Sequence, residues 1–142
     1  MDEFVRLKYD IDGENFTSAG EASTTVKRNL RQMGFSPETI RKVSVAMYEG
    51  EINMVIHAKG GVATVDVYDD KIIIVLADEG PGIPDVALAM QAGYSTAPDN
   101  IRSLGFGAGM GLPNMKKYTD EMKIDTVVGK GTTVTMTVYV EK

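Results

Sequence analysis

The segment GFGAGMGLPNMKK, residues 105–117, places four glycines within seven residues and then continues in a helical pattern. Each ordered glycine costs roughly 0.5–1 kcal/mol relative to alanine in a regular element, so a bound group should compensate for them. Successive backbone N–H groups in a glycine loop that leads into a helix form a nest for anions. A glycine-rich flexible hinge is the alternative. The segment is neither a Walker loop, because no Gly-Lys-Ser/Thr follows, nor a Rossmann fingerprint, because no strand leads directly into it.

A second glycine turn, DEGPG at residues 78–82, follows the apolar run at residues 72–76. Asp78 therefore comes at the end of a predicted strand, where side chains point into the crevice at the edge of a sheet. A carboxylate in that position can accept a hydrogen bond from an exocyclic amine such as that of adenine, and the glycines allow the backbone to approach a flat base. The alternative is an ordinary turn formed by glycine and proline.

The third pattern is YEGEINMVIHA, residues 48–58, which lies within a predicted helix. Glu49 and Asn53 are four residues apart and share one helix face, with His57 one turn further along. Glu51 is rotated away from that face, and we predict that it is solvated. A carboxylate next to a carboxamide could polarise a water molecule and ligate Mg²⁺. The alternative is an ordinary polar stripe on a surface helix.

The composition excludes several classes of function. The 142 residues suffice for one domain with one core, and we assign residues 1–142 to a single domain. A net charge of −5 argues against a nucleic-acid-binding surface, and the absence of cysteine excludes disulfides, thiolate zinc sites and cysteine nucleophiles. The N-terminus lacks a signal-peptide pattern. No apolar run is close to the length of about 20 residues that a helix needs to span a bilayer. We therefore expect a cytoplasmic protein with no membrane partner.

The hydrophobic periodicity predicts the order strand, two helices, two strands, helix, loop, helix, two strands. Tight links between strands imply antiparallel pairing. The predicted fold class is therefore α+β, a two-layer sandwich with a mixed, mostly antiparallel sheet and helices on one face. Residues 93–108 are polar, glycine-rich and without periodicity, which predicts a mobile lid. The predicted strands are residues 4–11, 62–68, 71–77, 123–127 and 132–140, and the predicted helices are residues 14–33, 37–59, 85–92 and 112–118.

The three patterns occur in a specific order. Glu-x-x-x-Asn on a helix is followed by Asp-x-Gly-x-Gly after a strand and by Gly-x-Gly-x-Gly before a helix. In this order they resemble the GHKL ATPase superfamily, whose members have the Bergerat ATP-binding fold. The segment GKGT at residues 129–132 matches a further family position before the last strand. The resemblance extends from about residue 20 to the last residue, and it implies ATP and Mg²⁺ as cofactors.

The resemblance also implies a role for each matching residue. Glu49 would be the general base, Asn53 would hold Mg²⁺ between the ATP phosphates, and Asp78 would accept a hydrogen bond from the adenine amine. Gly82 would let the base approach, and Thr132 would support Asp78 directly or through water. The other residues of the implied nucleotide site are Gly80 in the turn after Asp78 and, around the phosphates, Gly107, Ala108, Gly109, Met110, Gly111 and Leu112.

Residues 79–96 and 107–124 resemble one branch of the superfamily, the anti-sigma-factor serine/threonine kinases, and within it the RsbT-like switch kinases. This resemblance implies that the chain phosphorylates a serine or threonine of a small STAS-domain antagonist protein. A sigma factor or a PP2C-type phosphatase is a further candidate partner, and both a monomer and a homodimer remain open. The alternative function is an ATP-gated binding module that sequesters a partner without phosphoryl transfer.

Two positions near these motifs refine the resemblance. Classic anti-sigma relatives carry an arginine shortly before the second glycine box, whereas Leu104-Gly105-Phe106 stands there in this chain. The switch-kinase branch also tends to lack that arginine. His57 follows Asn53, where anti-sigma relatives often have a histidine, and we predict that it is a partly buried structural residue.

Overall fold

The chain forms five strands and three helices in the described part of the molecule. The computed structural model describes residues 3–12, 20–58, 60–83, 86, 90 and 111–140. In chain order, the elements are β1 (Val5–Asp12), α1 (Glu21–Gln32), α2 (Pro37–Ala58), β2 (Gly60–Val67), β3 (Lys71–Ala77), α3 (Gly111–Lys117), β4 (Glu121–Val127) and β5 (Gly131–Tyr139). The predicted lid, residues 93–108, lies outside the described residues.

The strands form one sheet with the order β1-β2-β3-β5-β4. All four pairings among these strands are antiparallel, so the described part of the sheet contains no parallel pair. The predicted hairpin between β2 and β3 is confirmed, because Tyr68 N donates to Lys71 O across the turn at 2.9 Å. The α+β class is confirmed, and the sheet, which was predicted to be mixed and mostly antiparallel, is antiparallel at all four pairings of the described strands.

The sheet has one buried and one more open face. Strand residues alternate between faces, and in β3 Ile72, Ile74 and Leu76 are buried while the residues between them are half-buried. The last strand alternates in the same way, with its valines and Met136 buried and its threonines at 133, 135 and 137 half-buried. The helices contribute the rest of the core on the buried face, including Val26, Leu30, Val43 and Met47.

Helix α1 begins later than the sequence predicted. The predicted helix spans residues 14–33, but α1 starts at Glu21 because its N-cap residue, Gly20, has a left-handed backbone with φ of 99°. A helix cannot continue through that conformation, which glycine adopts without a Cβ penalty. Residues 14–19 lie outside the described residues. Ala22, Val26 and Leu30 form the buried apolar stripe of α1, whereas Met33, which the periodicity also places on that stripe, is 42% exposed.

Helix α2 is the central helix and contacts α1, α3 and four strands of the sheet. Ser36 is its N-cap, because Thr39 N donates to Ser36 Oγ at 3.2 Å and Pro37 occupies the first helical position. The predicted helix over residues 37–59 is confirmed, with Ala58 as its last residue. None of the described helices combines the length and hydrophobicity needed to cross a bilayer.

Polar contacts attach β1 to its neighbours. Arg6 Nε and Nη2 donate to the two carboxylate oxygens of Asp66 on β2, at 2.8 and 2.9 Å. This bidentate pair raises the pKa of Arg6, first through the hydrogen bond and then through the charge of Asp66. On the other face, Asn29 Nδ2 of α1 donates to the hydroxyl of Tyr9 at 3.2 Å. Burial raises the pKa of Tyr9 despite that hydrogen bond, so its hydroxyl remains protonated at neutral pH.

Gly50 allows α2 to lie directly against β3 and α3. A Cβ atom at this position would collide with Leu76 Cδ1 and would lie 3.3 Å from Met115 Cε. Leu76 is only 2% exposed, so its side chain has little room to move. We expect Gly50→Ala to lower the free energy of unfolding by up to about 2 kcal/mol, because overpacking costs about 1–3 kcal/mol and alanine restores about 1 kcal/mol of helix propensity. Urea denaturation followed by circular dichroism measures this change.

The same substitution in a Leu76→Ala background is the control. The colliding methyl group is then absent, so Gly50→Ala should be neutral or stabilise the protein by up to about 1 kcal/mol. An equal loss of stability in both backgrounds would contradict the close packing of α2 on β3.

Candidate functional site

Glu49 and Asn53 lie on α2 and both contact α3. Asn114 Nδ2 donates to Glu49 Oε1 at 3.3 Å. Asn53 Nδ2 lies 3.9 Å from Met115 Sδ, a weak acceptor that orients the amide. Both residues are half-buried. The acid and the amide are therefore held on the side of α2 that faces α3, the helix that follows the glycine segment.

Glu51 is not solvated as the sequence predicted. It is 2% exposed, and its carboxylate accepts hydrogen bonds from the backbone N–H groups of Gly20, Ala22 and Ser23 at 2.8, 3.2 and 3.1 Å. These groups belong to the start of α1, where the first N–H groups have no partner within the helix. Gly20 has no side chain to cap α1, so Glu51 caps that helix from α2. The prediction was wrong because α1 covers the face of α2 that carries Glu51.

Asp78 follows β3 and is fixed through one of its two carboxylate oxygens. Oδ1 accepts from Gly80 N at 2.9 Å and from Thr132 N at 3.1 Å. The backbone repeats the contact, because Asp78 N donates to Thr132 O at 2.9 Å. Among the residues that the structure describes, Oδ2 accepts no hydrogen bond. The carboxylate is therefore oriented by backbone groups with one oxygen left for a ligand.

Two threonine hydroxyls support the loop that follows Asp78. Thr126 Oγ1 accepts from Ile83 N at 2.8 Å and lies 2.9 Å from Thr132 Oγ1. Thr132 thus contacts Asp78 through its backbone and Thr126 through its side chain. Thr126 belongs to none of the sequence motifs, and its role becomes visible only from the strand register, which pairs it with Thr132.

The glycines of this region allow close approach of backbone to backbone. A Cβ atom at Gly82, whose φ is 80°, would lie 2.6 Å from Val127 O. A Cβ atom at Gly131 would collide with Asp78 O. The contact with the β4–β5 turn already requires a glycine at position 82, and the predicted approach of a base to Gly82 stays a prediction.

Gly61 places Asp78 beside α2. A Cβ atom at Gly61 would collide with Met54 Cε of α2 and would lie 3.1 Å from Asp78 Cα. Met54 directly follows Asn53, so the start of the Asp78 turn lies next to the helix that carries the acid and the amide. Gly111 and Leu112 begin α3, and Leu112 is 9% exposed. The predicted phosphate-binding residues Gly107, Ala108, Gly109 and Met110, and the side chain of His57, lie outside the described residues.

The side-chain oxygen of Asn53 is a suitable ligand for a magnesium ion that binds together with a nucleotide. The Nδ2 group of Asn53 is directed to Met115 Sδ, and its carbonyl oxygen accepts no hydrogen bond from the described residues. Within the described ranges, no group of three or more His, Cys, Asp or Glu side chains could hold a metal ion. Mg²⁺ at phosphate sites is commonly held by one or two protein ligands together with phosphates and water. A single carboxamide oxygen is consistent with that mode of binding.

Comparison with known families identifies the class. Residues 14–138 match the family model described as the histidine kinase-like ATPase domain. The chain belongs to this family, which confirms the GHKL resemblance of the sequence motifs.

Two relatives show which members of the family the chain is similar to. The chain is 37% identical over 124 residues to an anti-sigma F factor from Caldanaerobacter subterraneus subsp. tengcongensis, covering 84% of this chain and 83% of the relative. It is 30% identical over 118 residues to the serine/threonine-protein kinase RsbT from Bacillus subtilis, covering 80% and 83%.

A solved structure shares the fold. The structure of the RsbU and RsbW domains of Rv1364c from Mycobacterium tuberculosis matches with a TM-score of 0.66 and 18% identity, over 97% of this chain. The chain spans 33% of that longer protein chain.

Proposed function

We propose that this chain is an ATP-dependent serine/threonine protein kinase of a bacterial partner-switching module. Its substrate would be a small STAS-domain antagonist protein, and its site of action the cytoplasm. The family membership and the 30% identity to a serine/threonine-protein kinase support this proposal. The structural argument rests on Glu49, because a module that only binds a nucleotide has no need of a carboxylate there.

The contacts of Glu49 support its proposed role as the general base. The side chain is half-buried, and Asn114 binds Oε1, while Oε2 has no hydrogen-bond partner among the described residues. One oxygen is thus oriented and the other is available to accept a proton. The salt bridges of the described residues do not include Glu49, so no cation competes for that oxygen there.

The proposed reaction uses three side chains. Glu49 takes the proton of the substrate hydroxyl while the oxygen of that hydroxyl attacks the γ-phosphorus of ATP. The bond between the γ-phosphorus and the bridging oxygen breaks, and this oxygen leaves as part of ADP. Asp78 Oδ2 accepts a hydrogen bond from the adenine amine and holds the nucleotide in place. The carbonyl oxygen of Asn53 would ligate Mg²⁺, which supplies charge neutralisation at the phosphates. Phosphoryl transfer depends mostly on positioning and electrostatic stabilisation, so this small set of groups is sufficient.

The second candidate function is an ATP-gated binding module. The name of the anti-sigma F factors among the relatives, the first of which is 37% identical, supports the sequestration of a partner in this function but does not argue against phosphoryl transfer. In that case the chain would sequester a sigma factor or another regulator when ATP is bound, and phosphoryl transfer would not be required. Both functions use the same nucleotide site, and only the kinase requires Glu49 as a base.

Label transfer tests the proposed function. The purified chain is incubated with Mg²⁺, ATP labelled on its γ-phosphate and STAS-domain proteins encoded near its gene. We expect label on a serine or threonine of one of these proteins, and none when that residue is replaced by alanine. Nucleotide binding without transfer to any candidate would favour the binding module. A PP2C-type phosphatase encoded in the same neighbourhood can be tested for removal of the label.

Asp78→Asn tests the adenine contact. The variant keeps an oxygen that can accept from Gly80 N and Thr132 N, so the turn should remain intact. The second position becomes an amide N–H₂, which cannot accept from the adenine amine. We expect the Kd for ATP to rise about 10- to 100-fold, in line with the 1.5–3 kcal/mol typical of a hydrogen bond to a charged group. Isothermal titration calorimetry measures the Kd.

A matched control and a second nucleotide make this test specific. Asp125→Asn changes a carboxylate on β4 that is 61% exposed and pairs with Lys123, so ATP affinity should not change. The wild-type chain should bind GTP more weakly than ATP, since guanine carries a carbonyl oxygen where adenine carries the amine. An Asp78→Asn variant that binds ATP as tightly as the wild type would contradict the assigned contact.

A further inference from the structure

Asn114 connects α3 to Glu49 and lies outside the three sequence motifs of the candidate site. Its Nδ2 group donates to Glu49 Oε1 at 3.3 Å across 65 residues of sequence. We propose that Asn114 is a positioning residue, whose amide holds the Glu49 carboxylate in the orientation that phosphoryl transfer requires. This inference rests on the proposed kinase function of the same site.

The backbone of Asn114 is held by packing on both sides. Leu112 and Met115 of α3 are 9% and 1% exposed and belong to the core. Tyr118 N donates to Asn114 O at 3.1 Å, and Thr119 Oγ1 caps the next carbonyl, Met115 O, at 2.7 Å. The packing of α3 in the core therefore fixes the backbone position from which the Asn114 amide reaches Glu49.

The chemistry of the contact suits a base. A glutamate side chain has several rotatable bonds, and a base must hold its oxygen near the proton that it accepts. The amide N–H₂ group fixes Oε1 by donating to it, and it neither carries a charge nor competes for the substrate proton. The other oxygen remains for that proton. The same helix orients Asn53 through Met115, so α3 contacts both members of the acid–amide pair.

Substitutions at position 114 distinguish a positioning role of the Asn114 amide from a role in packing alone. Asn114→Asp keeps the size of the side chain but replaces the donor with an acceptor next to Glu49. Asn114→Gln keeps the donor on a longer stem. We expect kcat to fall about tenfold in Asn114→Ala and at least as much in Asn114→Asp, with Asn114→Gln recovering part of the loss. The KM for ATP should stay within about twofold in all three, since among the described residues the Asn114 amide donates to Glu49 and to no group predicted to bind the nucleotide.

Two further variants test whether the effect passes through Glu49. In a Glu49→Gln background, Asn114→Ala should cause no additional loss of kcat, because residues that act as a unit are not additive. The matched control is Asn29→Ala. It removes a half-buried amide that donates to the hydroxyl of Tyr9 at 3.2 Å, away from the site, and should leave kcat unchanged.

An NMR measurement tests the hydrogen bond between Asn114 and Glu49 independently of the kinase reaction. The side-chain amide signal of Asn114 in a ¹⁵N–¹H NMR spectrum, assigned from its absence in Asn114→Ala, should shift in Glu49→Ala and not in Glu38→Ala. An unmoved signal, or a kcat in Asn114→Asp within twofold of the wild type, would overturn the inference. A wild-type chain that transfers no phosphoryl group would overturn the proposed function and the kinetic role of Asn114, and the NMR spectra would still decide whether the two side chains interact.

Discussion

Glu49→Gln should lower the rate of phosphoryl transfer by about two to four orders of magnitude, which is the range that general-base catalysis contributes. Glutamine has the same shape as glutamate but cannot accept the substrate proton. Its carbonyl oxygen can still accept from Asn114 Nδ2, so the contact between α2 and α3 should persist. We therefore expect the Kd for ATP to change by no more than about threefold. Single-turnover label transfer and calorimetry measure the two quantities.

Glu38→Gln is the matched control for this substitution. Glu38 lies in the first turn of the same helix, and its side chain is 68% exposed and forms a salt bridge with Lys42 at 3.6 Å. Its replacement should leave transfer unchanged. If Glu49→Gln transfers label at the wild-type rate, Glu49 is not the base. If both the rate and the ATP affinity fall together, Glu49 contributes to binding and the binding module becomes the better account.

Local sequence signals were sufficient for most of the fold. The alternation of threonines with Val134, Met136 and Val138 identified the faces of β5, because a strand with one buried face shows a period of two in its sequence. Strand β3 is apolar at every position from 72 to 76, so its sequence indicated a strand but not which face is buried. The start of α2 was likewise visible in Ser36 and Pro37, a cap and a first-turn residue that act within four residues. Such features depend on neighbours in sequence, and the sequence alone therefore reveals them.

The contacts between helices could not be predicted in this way. Glu51 looked exposed because the helical wheel of α2 gives the direction of a side chain but not the element that covers it. Asn114 carried no signal, since its partner lies 65 residues earlier. Both contacts depend on the relative placement of helices, which follows from packing against the sheet and not from local pattern.

The glycines illustrate the same limit. The DEGPG turn was correctly predicted to follow a strand, but the sequence could not show that Gly82 faces a carbonyl of the β4–β5 turn. A glycine motif shared by nucleotide-binding proteins can be required by the protein's own backbone as well as by a ligand. For this reason Asp78, rather than Gly82, is the more informative position for a test of nucleotide binding.

Glu51→Ala should lower the free energy of unfolding by about 3–4 kcal/mol, the largest effect on stability that we expect from a single polar substitution in this chain. The substitution leaves the N–H groups of Gly20, Ala22 and Ser23 buried without their acceptor. Each unsatisfied buried donor costs about 1–3 kcal/mol, although water entering the space left by the side chain will recover part of this. Urea denaturation at several protein concentrations measures the change and shows whether it depends on association.

Two variants separate these hydrogen bonds from charge alone. Glu21→Ala removes an exposed acid from the first turn of α1, where interaction with the helix dipole is worth about 0.3–1 kcal/mol. Glu51→Gln keeps one acceptor oxygen but places an N–H₂ group against backbone donors, so we expect about half of the loss in Glu51→Ala. If Glu51→Ala costs no more than Glu21→Ala, the carboxylate acts only through its charge and α1 does not depend on α2 for its cap. If the graded order holds, Glu51 joins α1 to the helix that carries Glu49 and Asn53, and the start of α1 is structurally coupled to the candidate site.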